Sequence, residues 1–332
     1  MLSIRASGVT LAAPRRGILH VVFIFFDLDA SELTEPNRGN NTTGARGERE
    51  LDRLREALRA ERYLADRPLA VSLYLSLEMG RPLLLEGEAG VGKTEVAKTL
   101  ARVLGRELIR LQCYEGVDSA QALYEWDYAR QLLYTRVAQE QDQPIEMRSL
   151  YGREFLIERP LLRAIQLGRR ALLLIDELDR ADDEFEAFLL EVLSDFSVTV
   201  PELGTIVAEE APAVIITSNR TRELHDALTR RCLFHWIDFP DAEREAEIIR
   251  TRAPEVSERL ARSVAQAVQR LRSLDLVKRP GIAEAIDWTR ALALMGAEQV
   301  NGLAVLETLG SVVKRRDDQE LVGANIADVI GE

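Results

Sequence analysis

Residues 83–101 read LLLEGEAGVGKTEVAKTLA, and this stretch gives the strongest indication of the fold. Three leucines lead into a turn with three glycines, and Lys93 and Thr94 follow directly. The spacing fits G-x-x-x-x-G-K-[ST], the pattern of the phosphate-binding P-loop. The leucines predict a buried strand before the turn, and the apolar spacing from Thr94 to Leu104 predicts a helix after it. A strand before and a helix after the glycines form the context in which such a loop binds a nucleoside triphosphate.

Each part of this loop has a predicted contact with the triphosphate. The backbone N–H groups around Gly90 and Gly92 face phosphate oxygens, and Lys93 reaches the β- and γ-phosphates. The Thr94 hydroxyl is a predicted Mg²⁺ ligand, so ATP and Mg²⁺ are the expected cofactors. The alternative is a glycine-rich turn with an exposed lysine. The predicted nucleotide-binding residues are Gly87, Glu88, Ala89, Gly90, Val91, Gly92, Lys93, Thr94 and Glu95.

A second motif is the acidic pair that ends the apolar run in ALLLIDELDR, residues 171–180. Asp176 is predicted to contact Mg²⁺ or its waters, and Glu177 to polarise the water that attacks the γ-phosphate. The alternative is an ordinary strand end before an acidic helix start. The later acids are interpreted as first-turn charges that complement a helix dipole; they are Asp179, Asp182, Asp183 and Glu184.

Two further catalytic residues are predicted downstream. Asn219 ends VIITSN, where its amide is expected to hydrogen-bond the lytic water or the γ-phosphate, although asparagine is also common in turns. Arg231 in ALTRRC, with Arg230 as the alternative, is predicted to reach the nucleotide of a neighbouring subunit. The competing interpretation is that both arginines contact the last carbonyls of their own helix.

Composition excludes several classes of protein. The chain has 332 residues, with 43 basic and 55 acidic side chains and a net charge of −12, which disfavours nonspecific nucleic-acid binding. Two cysteines and three histidines without ligand spacing predict no metal–thiolate site and no disulfide framework, as in a reducing cytoplasmic compartment. The apolar run ILHVVFIFF at 18–26 is too short to span a bilayer, so no stable membrane insertion is expected.

Three segments are predicted along the chain. Residues 1–48 include a linker-like stretch and are expected to be a disordered extension or the product of an upstream start codon. Residues 49–240 alternate predicted strands with helices, which implies a parallel sheet covered on both faces. Residues 241–332 show mainly helical patterning, such as the apolar spacing from Val264 to Leu271, and predict a small helical domain.

The assembly of GEAGVGKT, LLLIDE, TSN and a late double arginine resembles the AAA+ ATPases, in particular the MoxR family. The resemblance covers residues 50–332. Phrases such as QCYEGVDSAQALYEWDYARQLL and TRELHDALTRRCLFHWIDFP are similar to the MoxR-type ATPase that accompanies maturation of the copper–molybdenum site in aerobic carbon monoxide dehydrogenase.

The resemblance implies an α/β P-loop AAA+ domain with a helical C-terminal lid, assembled as a homo-oligomeric ring, usually a hexamer. It implies chaperone-like remodelling of a client molybdenum hydroxylase together with a von Willebrand factor A-domain protein. Arg279, which precedes Pro280, is the nearest match to the family's nucleotide-sensing lid arginine. Segment 113–150 resembles an insertion near the ring pore, where the aromatics of YEWDY either pack or contact a client.

Other function classes share some of these features. A P-loop small-molecule kinase needs an acceptor pocket and no arginine from a neighbour. A DNA-processing AAA+ motor needs a basic surface stripe, which a net charge of −12 argues against. A nucleotide-gated scaffold with little turnover has no need of Glu177.

Overall fold

The computed structural model describes residues 42–141, 144 and 146–331 of the protein. The predicted extension up to residue 41 lies outside these residues. Helix α1, Thr42–Ala60, begins seven positions before the predicted boundary at residue 49, so the prediction that residues 42–48 belong to a disordered extension is wrong. Glu48 on this helix forms an ion pair with Arg67 at 2.7 Å. Leu54 and Leu58 on the same helix are buried against the sheet. Arginine, glutamate and alanine favour a helix over this stretch.

The elements up to the acidic pair alternate as predicted. In chain order they are α2 Arg67–Met79, β1 Leu83–Glu86, α3 Lys93–Leu104, β2 Glu107–Gln112, α4 Ser119–Leu123, β3 Tyr124–Trp126, α5 Tyr128–Glu140, β4 Leu156–Glu158, α6 Pro160–Leu167 and β5 Ala171–Asp176. The elements that follow are α7 Asp183–Asp195, β6 Ser197–Val200, β7 Gly204–Val207, β8 Ala213–Ser218, α8 Asp226–Thr229 and β9 Leu233–Trp236.

Five of these strands form one parallel sheet in the order β2-β5-β8-β1-β9. Strands are predicted from the sequence at 83–86, 108–112, 171–175 and 214–217, and the structure agrees with these four to within one residue at each end. The edge strand β9 was not predicted, because LFHW is only partly buried and carries His235 in its middle. The carboxyl ends of β1, β5 and β8 meet at one edge, where ligands bind in such sheets.

Alternate residues of the central strands pack into two different cores, so the sheet has helices on both faces. One face carries Leu84, Leu173, Ile175, Val214 and Ile216, which pack against α6 and α7. The other face carries Leu83, Leu85, Leu172, Leu174 and Ile215, which pack against α1, α2 and α3. The prediction of a parallel sheet covered on both faces is confirmed.

Two small antiparallel strand pairs lie outside the main sheet of this domain. Strands β6 and β7 form a hairpin at 197–207, with Gly204 at a φ of 83°. Strands β3 and β4 also pair, and α5 lies between them in the sequence, within the segment that resembles an insertion. Of the YEWDY aromatics, Trp126 is buried and stacks edge-on with Tyr124 and Tyr151, whereas Tyr128 is exposed.

Among the residues that the structure describes, six helices follow Pro240, where we place the domain boundary as a proposal. They are α9 Ala242–Arg252, α10 Glu258–Ser273, α11 Ile282–Leu294, α12 Gly302–Val312, α13 Arg316–Ala324 and α14 Ile326–Ile330. They share a core of their own, centred on the fully buried Trp288, whose Nε1 donates to Thr308 Oγ1 at 2.8 Å. In the described part of the chain no helix combines the length and apolar character that crossing a bilayer requires.

Candidate nucleotide-binding site

The loop between β1 and α3 has the backbone of a phosphate cradle. Gly90 and Gly92 have φ values of 87° and 96°, a region that residues with a Cβ rarely adopt. A Cβ on Gly87 would overlap the carbonyl oxygen of Ile237, and one on Gly90 would lie 2.7 Å from the Cα of Gly281. The glycines therefore allow the loop to turn before the helix and to contact two other segments closely.

Lys93 begins α3 and is 6% exposed. Its Nζ donates to the carbonyl oxygens of Gly87 at 2.7 Å and Glu88 at 2.8 Å, so the ammonium group lies inside the loop. Burial lowers the pKa of Lys93, while the carboxylates of Asp179, Asp176 and Glu177 act in the opposite direction. A buried ammonium group whose hydrogen bonds go to two uncharged carbonyl oxygens suits a polyanionic ligand.

Asp176 ends β5 and is 1% exposed. Its Oδ1 accepts hydrogen bonds from Thr94 Oγ1 at 3.0 Å and from Thr217 Oγ1 at 2.6 Å. The structure thus brings together the two predicted Mg²⁺ ligands, Thr94 and Asp176, from different elements. Thr217 was missed as a site residue, although its place two residues before Asn219 at the end of β8 was a usable signal.

Strand β2 supplies two site residues that sequence reasoning also missed. Arg110 donates from Nε and from Nη2 to Asp176 Oδ2, at 2.9 and 2.6 Å. Gln112 donates from Nε2 to Glu177 Oε2 at 3.1 Å. Both members of the acidic pair are therefore held by side chains of the neighbouring strand.

Glu177 itself has a left-handed backbone, with φ 56°, which is unusual for a residue with a Cβ. Its backbone N–H donates to Thr217 Oγ1 at 2.9 Å, which fixes the turn after β5. The side chain is partly exposed, and Arg180 Nη1 lies 3.4 Å from its Oε2. This placement leaves a carboxylate at the loop edge that a water molecule can reach.

Asn219 follows β8, as predicted, and lines the same cavity as Lys93 and Glu177. Its backbone N–H donates to Asp179 Oδ1 at 3.1 Å. The interpretation of Asp179 as a helix-dipole charge is wrong, because Asp179 is 3% exposed and lies before α7 in a short 3₁₀ turn. Asp182 caps α7 by accepting from Phe185 N at 2.8 Å, and Asp183 and Glu184 do lie in its first turn.

The two candidate arginines follow the end of α8. In the part of the chain that the structure describes, neither arginine lines the cavity that contains Lys93 and Glu177. Arg231 is exposed, and its Nη1 donates to the carbonyl oxygen of Leu190 at 3.0 Å. The side chain of Arg230 is 82% exposed. The carbonyl contact of Arg231 is made to α7 and not to its own helix.

The helical region closes over the loop. Ile282 N donates to the Gly90 carbonyl oxygen at 2.9 Å, and Arg252 Nη1 lies 3.2 Å from Glu95 Oε1. The predicted lid arginine, Arg279, contacts Glu88 Oε1 at 3.0 Å and is half exposed. A cavity of about 870 Å³ runs between the two regions, and helices α9 and α11 contribute Arg244, Ile248, Arg252, Ile282 and Ile286 to its wall.

The donor set fits a magnesium triphosphate. Within residues 42–141, 144 and 146–331, no group of three or more His, Cys, Asp or Glu side chains is arranged to hold a metal ion. Mg²⁺ typically takes one or two protein oxygens and completes its shell with water and phosphate oxygens. Thr94 Oγ1 and Asp176, 3.0 Å apart, offer such a pair. The carbonyl-lined ammonium of Lys93 and the glycine cradle suit the phosphates themselves.

Sheet order, phosphate loop and acidic pair are those of a P-loop nucleotide-binding domain, and the part of the chain that carries them is similar to AAA domains. Residues 82–232 match the family described as the AAA domain of the dynein-related subfamily. The matched range begins one residue before β1 and ends one residue before β9, so it contains the phosphate loop, the acidic pair and both candidate arginines.

Comparisons with individual proteins give distant similarities. The chain is 30% identical over 186 residues to the gas vesicle ATPase GvpN2 of Halobacterium salinarum, which covers 52% of each chain. It is 25% identical over 175 residues to the protein NorQ of Paracoccus denitrificans, covering 51% of this chain and 56% of NorQ. The chain thus spans about half the length of these relatives. A RuvB variant from Thermotoga maritima aligns over 79% of this chain and 70% of its own, with a TM-score of 0.45 and 20% identity.

Proposed function

We propose that the chain is an ATP-hydrolysing AAA+ remodeller of the MoxR type. The observation that carries this proposal is the hydrogen bond from Thr94 Oγ1 to Asp176 Oδ1 at 3.0 Å. It joins the phosphate loop to the acidic strand end, so that Thr94, Asp176 and Glu177 line the same cavity. Phosphoryl transfer depends chiefly on such positioning and on charge stabilisation.

The residues have distinct duties in this proposal. The loop amides and Lys93 bind the β- and γ-phosphates, and Thr94 with Asp176 would hold magnesium, which would neutralise charge on the phosphate oxygens. Glu177 orients the attacking water and accepts its proton. Gln112 holds the Glu177 carboxylate, and Asn219 presents its amide at the γ-phosphate position.

Arg231 is proposed to act on the nucleotide of a neighbouring subunit, with Arg230 as the alternative. An arginine at this position stabilises the charge of the transition state, an effect worth about 10³–10⁵ in rate in known cases. Its exposed position outside its own cavity supports action between subunits. The proposed assembly is a homo-oligomeric ring, with six subunits as in the resembled family.

The partners are proposed on the resemblance. A von Willebrand factor A-domain protein would serve as adaptor, and the client would be a molybdenum hydroxylase whose metal centre is completed after remodelling. Similarity to GvpN2, a gas vesicle ATPase, supports ATP use by this chain. Binding ATP orders an interface and hydrolysis releases it, so each cycle shifts a two-state arrangement of the ring.

The decisive test of the ATPase is Glu177→Gln. This variant is expected to bind fluorescent ATP as tightly as the wild type, while phosphate release falls by about 10²–10⁴-fold, because the base is lost and the phosphate site is kept. Glu184→Gln is the matched control, since Glu184 is exposed in the first turn of α7 and has no proposed role. Unimpaired turnover in Glu177→Gln would show that another group activates the water.

The ring and its partners need separate measurements. Specific ATPase activity without any acceptor should rise with protein concentration if sites form between subunits, whereas a small-molecule kinase would show no such dependence. The ATP-bound Glu177→Gln variant, purified from its native cells, should retain the A-domain protein and the hydroxylase. Retention of neither protein would contradict the proposed pathway and leave the ATPase intact.

A further inference from the structure

Two buried carboxylates tie the segment after β8 to the segment after β5. The first, Asp179, accepts at Oδ1 from Asn219 N at 3.1 Å and at Oδ2 from Thr221 N at 2.9 Å. Thr221 Oγ1 donates to the same Oδ2 at 2.7 Å. Between them, Arg220 has a left-handed backbone with φ 58°. Asp179 therefore determines the backbone that carries the Asn219 side chain.

The second carboxylate, Glu186 on α7, is fully buried and uses both of its oxygens. Its Oε1 pairs with Arg222 Nη2, and its Oε2 accepts from His225 N at 2.7 Å. Arg222 also donates from Nε to the carbonyl oxygen of Ala181 at 2.9 Å. Glu186 thus holds the chain at the point where α8 begins, because His225 is the N-cap residue of that helix.

Helix α8 is one turn long, so the position of its first residue also determines the position of the residues that follow it. Residues Asp226–Thr229 form the helix, and Arg230 and Arg231 follow directly. Glu186 and His225 are therefore separated from Arg231 by little more than that turn. In contrast, Asp179 contacts only the earlier part of the connection, at Asn219 and Thr221. The two acids hold two different ends of one connecting segment.

We propose that Asp179 and Glu186 are positioning residues with separate targets: Asp179 positions Asn219 for the nucleotide of its own subunit, and Glu186 positions Arg231 for the nucleotide of the neighbouring subunit. This inference rests on the proposed function, since it requires an arginine that acts between subunits. Displacing a reacting group by about 1 Å can cost roughly 10²-fold in rate. Neither acid needs to contact ATP to have this effect.

Complementation between inactive variants tests the assignment. Glu177→Gln lacks its own base but offers Arg231, and Arg231→Ala has the base but offers no arginine. Mixed rings of these two variants should regain turnover, because some sites combine an intact base with an intact arginine. Glu186→Gln should lower turnover by about 10–100-fold and behave like Arg231→Ala. It should regain activity with Glu177→Gln and none with Arg231→Ala.

Asp179→Asn should show the opposite pattern. It should regain activity when mixed with Arg231→Ala and none with Glu177→Gln, because its defect lies in its own site. A loss of stability alone cannot produce this reciprocal pattern, since it would affect both mixtures equally. Glu184→Gln, the same chemical change at an exposed position of α7, should retain wild-type turnover. If Glu186→Gln or Asp179→Asn fails to fold, Arg222→Lys and Thr221→Val weaken the same contacts and should give the same pattern.

The outcomes separate the inference from the proposed function. If Glu177→Gln and Arg231→Ala regain nothing together, the arginine does not act between subunits, and both the ring proposal and the assignment of Glu186 are overturned. If that pair regains activity but Glu186→Gln regains it equally with both partners, or keeps wild-type turnover alone, only the inference is overturned.

Discussion

Two glycines of the phosphate loop share a left-handed backbone but differ in their surroundings. Gly90 contacts Gly281 of the lid, whereas a Cβ on Gly92 would meet no atom within 4 Å. Gly92→Ala should cost about 1–2 kcal/mol of stability through backbone strain. Gly90→Ala should cost about 1–3 kcal/mol more, because its methyl group would displace the lid. Urea unfolding checks this order, and equal losses would mean that the contact between Gly90 and Gly281 is loose.

Asp179 gives a pH dependence with a definite sign. Burial raises its pKa, but hydrogen bonds from Thr221 and from Asn219 N outweigh burial, so the pKa lies below its usual value. Its contribution to stability is therefore complete above the unfolded-state pKa, about 3.9, and is lost as the pH falls through the folded-state value. Asp179→Asn should cost about 1–3 kcal/mol at pH 7. The difference from wild type should shrink as the pH falls below about 4, and urea unfolding that shows it growing would contradict this assignment.

The site residues divide into those that a motif marks and those that only the fold reveals. Lys93, Thr94 and Asp176 follow from spacing, because the phosphate loop and the strand-end acid are local patterns. Arg110 could not be found this way: it reaches Asp176 only because β2 and β5 pair in a register that sets Gln112 opposite Asp176. A sequence contains the residues of a strand but not its register against another strand.

At the level of elements, Arg279 lies where the helical region contacts the phosphate loop. Arg279 forms an ion pair with Glu88 at 3.0 Å, and both side chains are about half exposed. Such exposed pairs contribute about 0.2–1 kcal/mol. Arg279→Ala should therefore weaken ATP binding by less than about fivefold, the factor that 1 kcal/mol allows. A titration with fluorescent ATP that shows a hundredfold loss would mean that Arg279 contacts the phosphates directly.

Strands with a continuous apolar run were predicted well. Elements that depend on contacts with a neighbouring element were not. Strands β1, β5 and β8 are buried on both faces and read as continuous apolar runs. Strand β9 lies at an edge, with three side chains partly buried and Phe234 exposed, and His235 interrupts its apolar residues. Helix α1 begins within a stretch with the composition of a linker, and its ion pair with Arg67 on α2 is not visible from local sequence.

For the whole molecule, the separate core of the lid predicts independent folding. Arg272, buried against Glu245 at 2.7 Å, also stacks on Phe239 at 4.1 Å from the ring centroid, so a fragment should begin before Phe239. The fragment 238–332 is of a size at which single domains fold alone, and Trp288 is its one tryptophan. Its urea transitions by fluorescence and by circular dichroism should coincide. A fragment without a cooperative transition would show that the lid needs the sheet domain to fold, and Leu292→Ala, which keeps Trp288 and removes a fully buried side chain of the same core, is the destabilised control.

The contact between α11 and the phosphate loop bears on the rate of the proposed ATPase cycle. The backbone of Ile282 is hydrogen-bonded to Gly90, and the cavity lies between the two regions. We therefore expect ADP to leave when this bond opens and the helical region moves away from the loop. The slow event in each round would then be departure of the product, a large motion through solvent that added glycerol or sucrose should retard.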